Sequence, residues 1–213
     1  MNTPPHFDGE FRQKLHELFL WRRDVRAFRS DPLPSALLND LFNAASLAPS
    51  VGLSEPWRFV LVDNPARRMG VKDSFLAANA DALAGYEGER AQLYSTLKLE
   101  GLHTAPVHLA VFCDESTSQG HGLGRRTMPE TLSYSVVASI QTLWLAARAN
   151  GIGLGWVSIL DAADIKKVLD VPKPWNFIAY LCMGLPKDNS CEPKLAEVAW
   201  EQRQNIHEFI LQR

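Results

Sequence analysis

The chain alternates between apolar stripes at helical spacing and short continuous apolar runs. Residues 10–22 place Phe11, Leu15, Leu18 and Phe19 on one side, which predicts a helix. Pro34 opens a second helix, with Leu37, Leu38, Leu41, Phe42 and Ala45 marking one face. The chain then turns through Pro49-Ser50-Val51-Gly52, because a residue that precedes proline avoids helical geometry. Residues 57–62 and 107–113 are apolar runs of strand length. Between them, residues 65–103 read as more polar and charged helix, interrupted at Gly85 and Gly88.

Residues 129–150 give the clearest single element. Thr127 and Glu130 have capping-box spacing, and Gly151 supplies a stop. Val136, Val137, Ile140, Leu143, Trp144, Leu145, Ala146 and Ala147 leave this helix little polar surface. A helix apolar on nearly all sides must be buried on nearly all sides, so it is expected to be the central helix and part of a dimer interface. Strands at 154–160 and 177–183 flank a helix at 162–169. The irregular order predicts a single α+β domain over residues 1–213, with a mixed central sheet flanked by helices.

Composition narrows the function. A chain of 213 residues suits one core, and a net charge of −2 offers no basic excess for nucleic acid. Any anionic ligand must therefore be held by a local group of arginines. No apolar run approaches the roughly 20 residues of a membrane span. Cys113, Cys182 and Cys191 lack paired spacing, which fits a reducing compartment. Residues 1–10 carry no basic stretch followed by an apolar one, so the expectation is a cytoplasmic protein with a flexible N-terminus. The histidines show no metal-ligand spacing, and no metal is expected. Walker, nucleophile-elbow and Cys-x-x-Cys motifs are all missing.

Three segments remain as candidates. Arg22-Arg23-Asp24-Val25-Arg26 is either a solvated helix end or a phosphate clamp, since arginine forks bind phosphate oxygens in pairs. The loop 48–57 combines prolines, Gly52 and the hydroxyls of Ser50 and Ser54, which suit a polyol or a ring edge as well as a plain connection. The run Gly151-Ile152-Gly153-Leu154-Gly155-Trp156-Val157-Ser158 enters a strand, leaving backbone N–H groups open to a flat ligand. It is not the dinucleotide fingerprint, whose glycines open a helix.

Taken together and in this order, the motifs resemble a known family. Arg-Arg-Asp-Val-Arg, followed by Ala-Pro-Ser-Val-Gly ahead of Pro-Trp-Arg-Phe, is similar to the opening of the nitroreductase-like flavoproteins. The words 97–101, 141–148 and 155–159 resemble one branch, the dimethylbenzimidazole synthases. The likeness runs from about Arg22 to Arg203. It implies an intertwined homodimer with FMN at the subunit interface. It also implies that Arg22, Arg23 and Arg26, aided by Arg203, hold the flavin phosphate alongside Asp24 and Val25. Ser50 would lie beside the ring or ribityl chain, Gly153 and Gly155 would lend backbone contacts, and Leu99 would belong to a lid. Ser54 and Glu55 depart from the usual pattern, the latter a carboxylate where an amide is common.

The implied reaction consumes reduced FMN as substrate together with molecular oxygen, and NAD(P)H enters only through a separate flavin reductase. Asp24 is expected as general acid/base, with its arginine neighbours favouring the ionised form, and Ser158 as a hydrogen-bonding partner of the flavin. Two other readings share these residues: an NAD(P)H-dependent nitro- or quinone reductase, and a flavin-binding protein without chemistry.

Overall fold

The computed structural model describes residues 3–96 and 100–213. In chain order the elements are α1 (Gly9–Trp21), α2 (Ser35–Ala45), β1 (Trp57–Leu61), α3 (Pro65–Ala84), α4 (Gly88–Thr96), α5 (Gly101–Thr104), β2 (Val107–Asp114), α6 (Thr131–Ala149), β3 (Gly153–Val157), α7 (Ala162–Leu169), β4 (Trp175–Gly184) and α8 (Lys194–Glu197). Asp8 caps α1 and Phe7 stacks on Phe11, so ordered structure reaches into the stretch expected to be a flexible N-terminus.

The strands form one sheet in the order β1-β2-β4-β3. The expected mixed sheet is corrected here: all three ladders are antiparallel. The crossover through α6 does leave β2 and β3 running the same way, but β4 inserts between them and runs opposite to both. Parallel pairing survives as a single bridge between Asp24 and Leu154.

Both faces of the sheet are covered, which explains why β2 reads as a nearly continuous apolar run. Leu109, Val111, Leu181, Met183 and Leu154 point towards α2 and α6, while Ala110, Phe112, Tyr180 and Cys182 meet the packing of α3, α5 and α7. Helix α6 buries Leu132, Val136, Ile140, Leu143, Trp144 and Ala147 along one face. Within a single chain its opposite face stays open, with Tyr134 58% and Val137 42% exposed. The expected burial on nearly all sides is thus met on one side only.

The ends of α6 divide the sequence signals. The proposed capping box does not form: the helix starts at Thr131, Glu130 caps it without a side-chain bond, and the Thr131 hydroxyl turns back to the Met128 carbonyl. Pro129 sits in a turn ahead of the helix instead of inside its first turn. The stop at Gly151 does form. Gly151 takes φ +73°, its N–H bonds to the Arg148 carbonyl, and the Ile152 N–H bonds to the Ala147 carbonyl, closing a Schellman turn.

On the face covered by α3 and α7, His108 is 2% exposed and its Nδ1 lies 2.9 Å from the Tyr180 hydroxyl. Burial, reinforced by the nearby Arg68 charge, pushes its pKa from 6.5 down to about 4. A folded pKa below the unfolded one means stability is lost as the pH falls from 6.5 towards 4, by up to about 3 kcal/mol. Urea unfolding across that range should show this slope, and His108→Gln should flatten it.

Candidate active site

After α1, residues 22–26 run along the β3 edge of the sheet. The Val25 N–H donates to the Leu154 carbonyl at 3.0 Å. This contact is possible because positions 153 and 155 lack side chains. A Cβ on Gly155 would stand 2.2 Å from the Val25 carbonyl oxygen, and one on Gly153 2.8 Å from Val25 Cγ2. These glycines therefore act first as the seat of Val25, a role the linear reading gave to a flat ligand.

Seated this way, Asp24 turns inward. One carboxylate oxygen accepts the Trp156 N–H at 2.9 Å and the other faces Arg26 Nε at 3.5 Å. Burial raises its pKa, against the opposing pull of the Trp156 N–H, of Arg26 and of Arg22. The arginines favour the ionised form, as expected, but desolvation outweighs them and the net shift is upward. Asp24 lines a cavity of about 500 Å³ with Arg23, Arg26, Trp144 and Gly153, a size common for small-molecule sites. It also borders a small void of about 10 Å³ beside Gly101, Gly155 and Cys182.

The arginines are not equivalent. Arg26 is paired with Asp24. Arg23 donates through Nε and Nη2 to the Cys191 carbonyl. Arg22 lies over the Trp144 ring, 4.9 Å from its centre, a cation–π contact. Exposed Arg203 stands close enough that, after burial, its charge is the next cause lowering the pKa of both Arg22 and Arg23. Arg23 lines the cavity and the charges of Arg203 and Arg22 bear on it, so positive charge gathers on this side.

The other candidates lie elsewhere. Ser158 is exposed just past the end of β3. Ser50 sits in the loop before β1, where its Oγ accepts the Glu55 N–H at 3.1 Å. Glu55 takes φ +42° and its carboxylate accepts from Gln119 Nε2 at 2.8 Å, so the departure from an amide is satisfied internally. The Ser54 hydroxyl is buried with no hydrogen-bond partner among the described residues. This loop is anchored at the start of α6, through the Val51 N–H to Ser135 Oγ, whereas Arg23 is anchored near its end, through Trp144 Nε1. Nine residues of helix separate those anchors by roughly 14 Å. β1 and β3 are moreover opposite edges of the sheet. One chain therefore does not bring Ser50 to Arg22. Leu99 lies outside the described residues. Linear reading missed the Trp156 N–H, Trp144 and Cys182, because a backbone donor or a buried apolar residue carries no chemical signature in sequence.

The nitroreductase family model matches residues 19–185. The chain belongs to the nitroreductase family. Among family relatives, the 5,6-dimethylbenzimidazole synthase of Rhodospirillum rubrum is 55% identical over 95% of this chain and 96% of that protein. That of Rhodobacter capsulatus is 46% identical over 92% and 95%. The crystal structure of an oxidised iodotyrosine deiodinase bound to FMN and 3-iodo-L-tyrosine superposes with a TM-score of 0.72 at 22% identity, covering 93% of this chain and 97% of that one. At that identity the likeness concerns the nitroreductase fold alone. No helix among the described residues is long and apolar enough to cross a membrane.

A carboxyl whose pKa is raised in the fold binds its proton more tightly there than in the unfolded chain. Ionised Asp24 therefore costs stability, and the cost grows as pH rises above the ordinary value of 3.8. Asp24→Asn keeps an acceptor for the Trp156 N–H without the charge. Its unfolding free energy should exceed that of the parent by a margin that widens as the pH rises above 3.8 and levels off beyond the raised folded pKa. A margin that shrinks instead would reject burial as the dominant effect.

Proposed function

We propose that this chain is a 5,6-dimethylbenzimidazole synthase, fragmenting reduced FMN in the presence of oxygen to 5,6-dimethylbenzimidazole and erythrose 4-phosphate. The base so formed serves as the lower ligand of vitamin B12. The observation that carries this reading is 55% identity to a synthase over 95% of the chain.

The site fits FMN. Its phosphate carries about −1.5 to −2 charges at neutral pH, which relieves the repulsion among Arg22, Arg23 and Arg203. The cavity beside Asp24 suits a small-molecule ligand. When bound, reduced flavin supplies the electrons for oxygen chemistry. The chain's own part is to bind, orient and move protons. Arg22, Arg23 and Arg203 grip the phosphate, and Arg26 fixes the Asp24 carboxyl. Asp24, whose pKa burial raises, gives and takes protons at the flavin. Ser158, exposed just past the end of β3, offers a hydrogen bond to the ring. Reduced flavin comes from a separate flavin reductase, so NAD(P)H acts indirectly.

A homodimer completes the site. The open face of α6, helix α1 with no buried residue, and the exposed tail side chains Ile206, Phe209, Ile210 and Leu211 are apolar surface that a second copy would cover. Pairing also supports joining the Ser50 loop of one chain to the arginines of its partner, which a single chain holds apart.

Purified protein incubated under air with chemically reduced FMN should yield 5,6-dimethylbenzimidazole by mass analysis. Asp24→Asn and Ser158→Gly should abolish it while still binding oxidised FMN. Quantitative return of intact FMN, with turnover of NADPH, would instead make the chain a flavin reductase. In sedimentation, Val137→Asp should convert dimer to monomer and weaken FMN binding by at least about tenfold. A variant that stays dimeric removes this face from the interface.

A further inference from the structure

Asp24 is framed by two backbone anchors. On one side the Arg23 carbonyl accepts the Trp144 indole N–H at 3.3 Å, and on the other the Val25 N–H donates to the Leu154 carbonyl at 3.0 Å. Because peptide groups are planar, pinning the one before and the one after Asp24 fixes the direction in which its side chain leaves the backbone. That direction takes the carboxylate to the Trp156 N–H at 2.9 Å. The glycines of β3 account for the second anchor. The first comes from α6, where Trp144 is only 8% exposed.

The ring of the same tryptophan carries a charge. The Arg22 guanidinium lies over it, 4.9 Å from its centre. Four residues further along α6, Arg148 lies over the ring of Trp21 at 5.5 Å. Trp21 and Arg22 are the last residue of α1 and its cap, whereas Trp144 and Arg148, four apart, share a face of α6. The two cation–π pairs therefore cross and fasten the end of α1 to α6. Helix α1 has no buried residue, so apolar burial within one chain does not hold that end.

We propose that Trp144 is a positioning residue with two separable duties: its indole N–H, acting through the Arg23 carbonyl, aims Asp24, and its ring presents Arg22 to an anionic ligand. The consequences for binding and reaction rest on the flavin reading; the hold on residues 23–25 does not. Substitution separates the duties. Phenylalanine keeps a ring beneath Arg22 and removes the N–H, and leucine removes both.

Amide exchange followed by NMR on the whole protein without ligand reads the hold directly. Trp144→Phe should speed exchange at Val25 and Trp156 by about tenfold more than at Leu109 and Val111 of β2. Equal acceleration at all four, or none at Val25 and Trp156, means that Trp144 only packs the core and overturns the proposal. With oxidised FMN, Trp144→Phe should bind within about threefold of the parent by quenching of flavin fluorescence, since Arg22 keeps its ring. Saturated with reduced FMN under air, it should nevertheless form 5,6-dimethylbenzimidazole about tenfold more slowly. Trp144→Leu should lose about tenfold in FMN affinity as well. Should that variant fail to fold, Trp21→Leu, at a position 40% exposed, loosens the same clasp from outside the core and should weaken FMN binding several-fold. Equal loss of affinity in the phenylalanine and leucine variants overturns the division of duties. If the parent binds no FMN, the flavin reading fails together with the presentation of Arg22, and the exchange comparison still decides the hold on Asp24.

Discussion

Residues 24–26 can lie against β3 only because the strand offers two positions without side chains. The Val25 carbonyl would collide with a Cβ at 155, and the Val25 side chain with one at 153. From this close approach the site follows. The Val25 N–H pairs with Leu154, and Asp24 turns inward to the Trp156 N–H and is desolvated. Arg23 and Arg26 line the cavity beside it, and each is anchored differently. A larger residue at either glycine would lift the segment and dissolve the arrangement without touching any charged group.

The electrostatics follow from the same geometry. Arg26 is committed to Asp24 and Arg23 to a backbone carbonyl, so Arg22 and Arg203 carry the cluster's least committed charge. A buried carboxyl within a few residues of several cations would separate two tasks in the proposed reaction. The cations would secure an anionic substrate, and the carboxyl, its pKa raised by burial against their field, would serve proton transfer.

The single chain also leaves much apolar surface uncovered, on α1, on the outer face of α6 and along the C-terminal tail. Surface of this extent, combined with a loop and an arginine segment anchored about 14 Å apart along α6, points to one remedy. The proposed symmetric partner would cover the apolar faces and bring the Ser50 loop to the arginines in one step. Fold and function would then be coupled, since the same contact that stabilises the protein would complete its site.

The sequence by itself determined the succession of helices and strands, the α+β class, the Schellman stop at Gly151 and the family. Each rests on local periodicity, on turn chemistry or on long runs of matching residues. It also marked Arg22–Arg26, the Ser50 loop and the glycine run as belonging to function. It misjudged the start of α6, where Pro129 suits a turn as well as a first helical turn, and it expected a mixed sheet because strand order is not encoded locally. Only the tertiary structure decided that β4 separates β2 from β3, that Gly153 and Gly155 seat Val25, and that the Ser50 loop and the arginine segment are anchored nine residues apart on α6. It alone set the upward shift of the Asp24 pKa, because desolvation depends on what surrounds a carboxyl in space and not on its neighbours along the chain.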